Sequence, residues 1–279
     1  MLTTESFTLI KNIKDKYSDI NIMKLKELFN LLNKHKYNYK KPIINDVDKL
    51  FMSSGSKYVP DILYKKIREH TKCKEIIWII KSKKNIHCKL NIFYKNKISD
   101  EMINNLIGAI SFIMSLSNRN LDVTLNIVLL KDKKLFNKNF TPNEINSGMA
   151  DFSNNTIHIW RKEEIIKVII HECIHILEFS KLQDTNKIIN HYNIRYDTNC
   201  YMMNINESYT EIWAKLLNCY YTSNMMNSNK KEQFDLFVFF IQIETEFSLI
   251  QSYKIREFIK KNKKININKE TNVVAYFLI

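Results

Sequence analysis

His171, Glu172 and His175 are the residues of this chain whose types and spacing could do chemistry. They stand in the run His171-Glu172-Cys173-Ile174-His175, within a segment that reads as helix. Histidines four apart share a helical face, because the helix turns once in about 3.6 residues. Both imidazoles can therefore reach one metal ion, and Glu172 stands beside them, where a carboxylate could take a proton from a water on that ion. The helix is apolar: Ile165, Ile166, Val168, Ile169 and Ile170 precede the histidines, and Ile174, Ile176 and Leu177 accompany or follow them. Burying two imidazoles and a carboxylate there is costly unless they are hydrogen-bonded or bound to metal. The plain alternative is a core helix whose histidines are satisfied by neighbours.

A second constellation lies downstream, in Asn206-Glu207-Ser208-Tyr209-Thr210-Glu211. Glu207 and Glu211 are four apart and share a helical face. One can ligate the same ion, while the other can hydrogen-bond the far nitrogen of a ligating histidine and fix its orientation. Catalytic zinc takes three protein ligands and keeps a fourth position open. The alternative here is a solvated face, with Glu211 bonded to Lys215.

Together the two motifs, HExxH and N-E-x-x-[ST]-[DE], resemble those of the gluzincin metallopeptidases over roughly residues 145–220. The resemblance implies a zincin-like α+β fold and a metalloendopeptidase with one Zn2+ per chain. It implies zinc held by His171, His175 and Glu207, Glu211 orienting His171, and Glu172 as general base toward a protein or peptide substrate. The interval 207 − 175 = 32 is longer than in thermolysin-like members and nearer to lethal-factor-type toxins, which also pair two acidic residues four apart on that helix. Tyr201 is similar to the tyrosine such toxins place just before their glutamate, and is expected to donate to the oxyanion. His191, Tyr192, Tyr209 and Tyr276 compete for that role. The resemblance also implies a substrate-binding edge strand just before the motif helix. Residues 148–152 and 155–161 are placed for it, with His158 a strand residue near the cleft and not a ligand.

Around these residues the pattern predicts an α+β chain. Residues 18–39 read as an amphipathic helix, capped by Ser18, with Ile22, Leu25, Leu28, Phe29 and Leu32 on one face. A loop with Pro42 and residues 53–56 follows, then a short helix from Asp61. Residues 1–70 are thus expected as a helical N-terminal region and 71–279 as the catalytic domain, with an upper α+β lobe over 71–180 and a helical lower lobe over 181–279. Strands are expected at 75–80, 87–94, 122–130 and 156–160, the first two joined by a lysine-rich turn. A helix begins at Ser99-Asp100-Glu101 and runs to 116, and the motif helix spans 162–179. A polar loop around Pro142 and Gly148 precedes the fourth strand. Helical segments are expected near 182–191, 207–222 and 231–262. Residues 271–279 form a hydrophobic end without a polar tail.

Composition bounds the alternatives. The 279 residues are 45% hydrophobic and 12% aromatic, as in a folded protein. The charge, 43 − 29 = +14, invites a nucleic-acid or membrane-surface reading. The excess of Lys, Asn, Ile, Phe and Tyr, with 3 Gly and 3 Pro, also fits AT-rich codons, as in some large DNA viruses, parasites or endosymbionts. The basic runs at 81–84, 131–134 and 260–264 are short and scattered, which favours solvated faces over a nucleic-acid stripe. Five cysteines without a CxxC pair predict reduced thiols in a cytoplasm-like compartment, of a host cell or a virion if the chain is viral. The first residues lack a signal-peptide pattern, and the longest apolar stretches are too short for a bilayer. Two further readings remain open: a catalytically inactive gluzincin-fold scaffold, and a basic nucleic-acid binder whose affinity falls with salt.

Overall fold

The computed structural model describes residues 21–35, 37–48, 51, 61–81, 85–134, 145–179, 181–197, 199–226, 228–261 and 272–279. The expected Ser18 cap, the 53–56 loop, most of the 81–84 turn and the Pro142 loop lie outside them, as do residues 262–264 and 271. Residues 35–180 form one compact unit; residues 1–34 with 181–279 form another.

In the first unit the strands are β1 (Asn38–Tyr39), β2 (Ile43–Asp48), β3 (Lys72–Lys81), β4 (Asn85–Tyr94), β5 (Leu121–Leu130), β6 (Gly148–Asp151) and β7 (Thr156–Arg161). They make one mixed sheet, in which β1 and β2 both pair antiparallel with β3, and the order continues β3-β4-β5-β7-β6. The β3–β4 and β6–β7 pairs are antiparallel, and β4–β5 and β5–β7 are parallel. A parallel neighbour needs a crossover. Asp100–Ser115 is the helix between β4 and β5, started by Ser99, whose hydroxyl accepts from the Met102 amide at 3.3 Å.

Numbering helices in chain order, Ile22–Lys34 is α1, Asp61–Arg68 α2, Asp100–Ser115 α3 and Ile165–Ile176 α4. Helices α3 and α4 pack against each other and on the sheet. Under them lie Ile76, Trp78, Ile80, Ile86, Cys88, Leu90, Leu125, Ile127, Ile157 and Ile159, every one 2% exposed or less, so this face is a dry core. Trp78 Nε1 donates to Ser111 Oγ of α3 at 2.9 Å, which satisfies both buried polar groups. On the other face, Leu63 and Ile67 of α2 join Phe51, Cys73, Phe93, Val128, Leu130 and Trp160.

Beside that second cluster runs a buried polar row. Cross-strand register aligns Asn91, Asn126 and His158, with Asn91 Nδ2 donating to Asn126 Oδ1 at 2.8 Å. His158 is 6% exposed, and its ring packs edge-on to Phe51 at 5.6 Å. It faces away from α4, so it is a core residue and not a neighbour of the motif. Burial pushes its pKa below the usual imidazole value. The unfolded chain then binds this proton more readily than the native one. Stability is therefore complete above the ordinary histidine pKa and falls as pH drops through it toward the lower native value. Thermal midpoints followed from neutral to acid pH should fall more steeply in the wild type than in His158→Gln.

The expected helical region over 1–70 is not one body. Helix α1 ends at Lys34, and residues 38–39 and 43–48 pair with β3 as strands. Sequence periodicity missed β2 because IINDVD is an edge strand with an almost wholly exposed burial pattern, so no buried face imposes alternation on it.

The second unit is helical: α1, α5 (Asn186–Tyr196), α6 (Ile205–Met226), α7 (Lys230–Lys261) and α8 (Val273–Phe277). Phe29 of α1 is its aromatic hub, with ring centroids 5.5 Å from Tyr220, 5.3 Å from Phe234 and 5.6 Å from Phe237. Among the described residues no helix is long and apolar enough to cross a membrane.

Candidate metal centre

Helix α4 carries the motif, and its two ends fix where the histidines stand. It starts at Ile165 rather than 162, because Glu163 accepts from the Lys134 amide and Glu164 pairs with Lys134 Nζ at 3.1 Å. Glu164 itself is left-handed, at φ 54°. The helix stops three residues before the expected 179. Glu178, at φ 52°, donates its amide to the His175 carbonyl, and Phe179 donates to Ile174. These two bonds are the Schellman arrangement, here with glutamate where glycine is usual, which is why the sequence hid the stop.

Just inside that stop, His175 Nε2 lies 3.2 Å from His171 Nε2, with the rings at 70°. That separation suits a hydrogen bond between the rings. It also suits two ligands of one ion: nitrogens at 2.0–2.1 Å on a tetrahedral zinc stand about 3.3 Å apart. His171 and Glu172 are buried, 7% and 8% exposed. Phe152, 60% exposed, sets its ring edge-on to His175 at 6.5 Å. Cys173 faces the core with no exposure, and burial holds its thiol well above the ordinary pKa. It therefore stays a neutral thiol, as expected. All five cysteines are buried and none is in a disulfide.

Strand β6 is the sheet edge next to this helix, while β7 lies inside the sheet. Of the two segments expected as a substrate edge, only residues 148–151 occupy an edge. The hairpin turn after β6 is tied by Asp151, whose carboxylate accepts from the Ser153 amide at 3.0 Å, the Ser153 hydroxyl at 2.6 Å and Asn154 Nδ2 at 3.2 Å. Gly148 lets the strand approach α4. A Cβ there would meet Val168 Cγ1 at 2.9 Å, Glu172 Oε1 at 3.1 Å and Glu172 Cγ at 3.3 Å. Valine is stiff at χ1 in a helix, so strand and helix would have to part. Gly148→Ala is expected to cost about 1–3 kcal/mol in urea unfolding and to displace the Glu172 carboxylate. Any hydrolytic turnover should fall while metal content holds.

In the second unit, Glu207 sits in the first turn of α6. The start of that helix is held by Asp184, whose carboxylate accepts from the amides of Met203 at 2.6 Å, Asn204 at 2.9 Å and Ile205 at 3.0 Å. Three otherwise orphaned amides are so satisfied. Tyr276, on α8, donates its hydroxyl to Glu207 Oε2 at 3.3 Å. Glu211 is 3% exposed and pairs with Lys215 at 3.6 Å, the bond foreseen for a plain helix face, but in a buried setting. Lys215 also reaches Glu244 at 3.4 Å and Ser248 Oγ at 2.8 Å.

Tyr201, expected as oxyanion donor, lies in the α5–α6 loop and is 61% exposed. That loop is bracketed by Asn193, whose side chain exchanges two 2.9 Å bonds with the Cys200 backbone. The tyrosine in contact with the glutamate is Tyr276 instead. Sequence reasoning missed Asp184 and named Tyr276 only as one of four alternatives to Tyr201.

Of the three residues expected as ligands, His171 and His175 belong to the first unit and Glu207 to the second. Comparison with family models, curated proteins and solved structures finds no match.

Proposed function

We propose that this chain is a zinc-dependent endopeptidase of zincin-like architecture, with His171, His175 and Glu207 as ligands and Glu172 as general base. The observation that carries the reading is the convergence of the two Nε2 atoms to 3.2 Å on one buried helical turn, beside a carboxylate against the edge strand. The donor set, two imidazoles and one carboxylate, is the type that leaves zinc an open position. Bound there, zinc would lower the pKa of a coordinated water toward neutrality and polarise a carbonyl.

The chain's own residues do the rest. Glu172 accepts a proton from the attacking water and passes it to the leaving amine. Its burial beside Gly148 keeps the carboxylate in one place. Strand β6 offers backbone groups along which an extended peptide adds as a further strand, the usual way an exposed edge takes a substrate. The reading favours a protein or peptide over nucleic acid. One lysine from each of two basic runs is already drawn into a local pair, Lys134 with Glu164 and Lys260 with Glu257.

An unfolded protein such as casein is the substrate to offer first. Fragments should appear with the purified chain, vanish when a chelator strips the metal, and return when zinc is added back. Zinc uptake with no cleavage of any unfolded protein would leave a metal-binding scaffold in place of an enzyme.

A further inference from the structure

We infer that the C-terminal helix α8 is part of the metal site: Tyr276 is a positioning residue that orients the Glu207 carboxylate toward the ion. The inference rests on the metal reading above and adds a residue 69 positions beyond the ligand it serves. Tyr276 gives its hydroxyl proton to Glu207 Oε2 at 3.3 Å. A carboxylate so held by one oxygen cannot spin freely about its last torsion. Partners of this kind raise affinity by pre-orienting the ligand.

Several contacts put the tyrosine there. Ala275 and Leu278 are buried, 1% and 7% exposed, so the short helix is anchored by its apolar side. Asn204, at the start of α6, donates its side-chain amide to Asn272. Tyr196 donates its hydroxyl to the Leu278 carbonyl. Lys215, the partner of Glu211, stands 4.8 Å from the centre of the Phe277 ring. The α5 end, the α6 start and the middle of α6 thus each hold one point of the last eight residues, and the hydroxyl they place reaches the ligand glutamate.

The test is a double-mutant cycle on the full chain. Zinc dissociation constants are measured by competition with a chromophoric chelator for wild type, Tyr276→Phe, Glu207→Ala and the double variant. Phenylalanine keeps the ring and removes the donor. Tyr276→Phe should weaken zinc binding about 10–100-fold and leave the metal-free thermal midpoint in place. In the Glu207→Ala background it should add nothing, because the group it acts through is gone. Wild-type affinity in Tyr276→Phe, or an equal loss in both backgrounds, overturns the inference and leaves the metal reading standing. A wild type that takes up no zinc, or whose affinity ignores Glu207→Ala, overturns both.

Discussion

Glu172→Gln should remove the proposed peptide hydrolysis and keep the metal. Glutamine has nearly the same shape and buries as well, so the fold and the two imidazoles are untouched. What it lacks is a site for the proton. A positioned general base contributes about 10²–10⁴-fold, and kcat on an unfolded protein should fall by that order with KM little changed. Such a split marks an interaction made in the transition state rather than in substrate binding. Zinc per chain, measured on the same sample, should equal the wild-type value. Wild-type turnover in Glu172→Gln would remove Glu172 from the chemistry. Tyr201→Phe is the natural companion. A hydroxyl on a residue 61% exposed does little in a water-filled loop, so its loss should be small beside that of Glu172→Gln.

Glu207→Ala and His175→Ala should each empty the proposed site by removing one ligand. Three protein ligands are the minimum for a catalytic zinc, and either change leaves two. The loss in affinity should exceed the 10–100-fold typical of an outer partner. It should also appear as lost stabilisation: a ligand present at 1,000 times its dissociation constant raises the folding free energy by about 4.1 kcal/mol. Added zinc should therefore raise the thermal midpoint of the wild type and leave both variants where they were. A zinc-dependent rise of wild-type size in Glu207→Ala would mean that the glutamate is not a ligand.

Much of this was legible in the residues. The histidine pair followed from a spacing of four, since helical geometry converts that spacing into a shared face. Strands β3, β4, β5 and β7 and helix α3 announced themselves because each buries apolar side chains on at least one face, and burial is what periodicity records. Ser99 was visible as a cap for the same local reason.

The rest depends on contacts or conformations that no window reveals. Strand β2 buries almost nothing and is held by backbone bonds to β3, so its side chains carry no signal. The stop of α4 at Glu178 uses a left-handed glutamate, where glycine would have been the cue. Helix α1 was drawn five residues too long because Lys36, Tyr37 and Asn38 extend a polar run without a breaker, while pairing with β3 captures Asn38 and Tyr39 instead. At the site, Asp184 and Tyr276 act on α6 across gaps of 21 and 69 residues, so only the folded chain brings them to it. Gly148 belongs with them. One glycine before a strand is unremarkable in sequence, and its role lies in what a Cβ would strike.

The central claim is that His171, His175 and Glu207 hold one zinc. Elemental analysis of protein purified without added metal, for wild type and Glu207→Ala side by side, tests it most directly. The account predicts about one zinc per chain in the wild type, the stoichiometry of a single three-ligand site, and close to none in the variant. A wild type without zinc even after zinc is offered would contradict it, as would a variant that keeps its full complement.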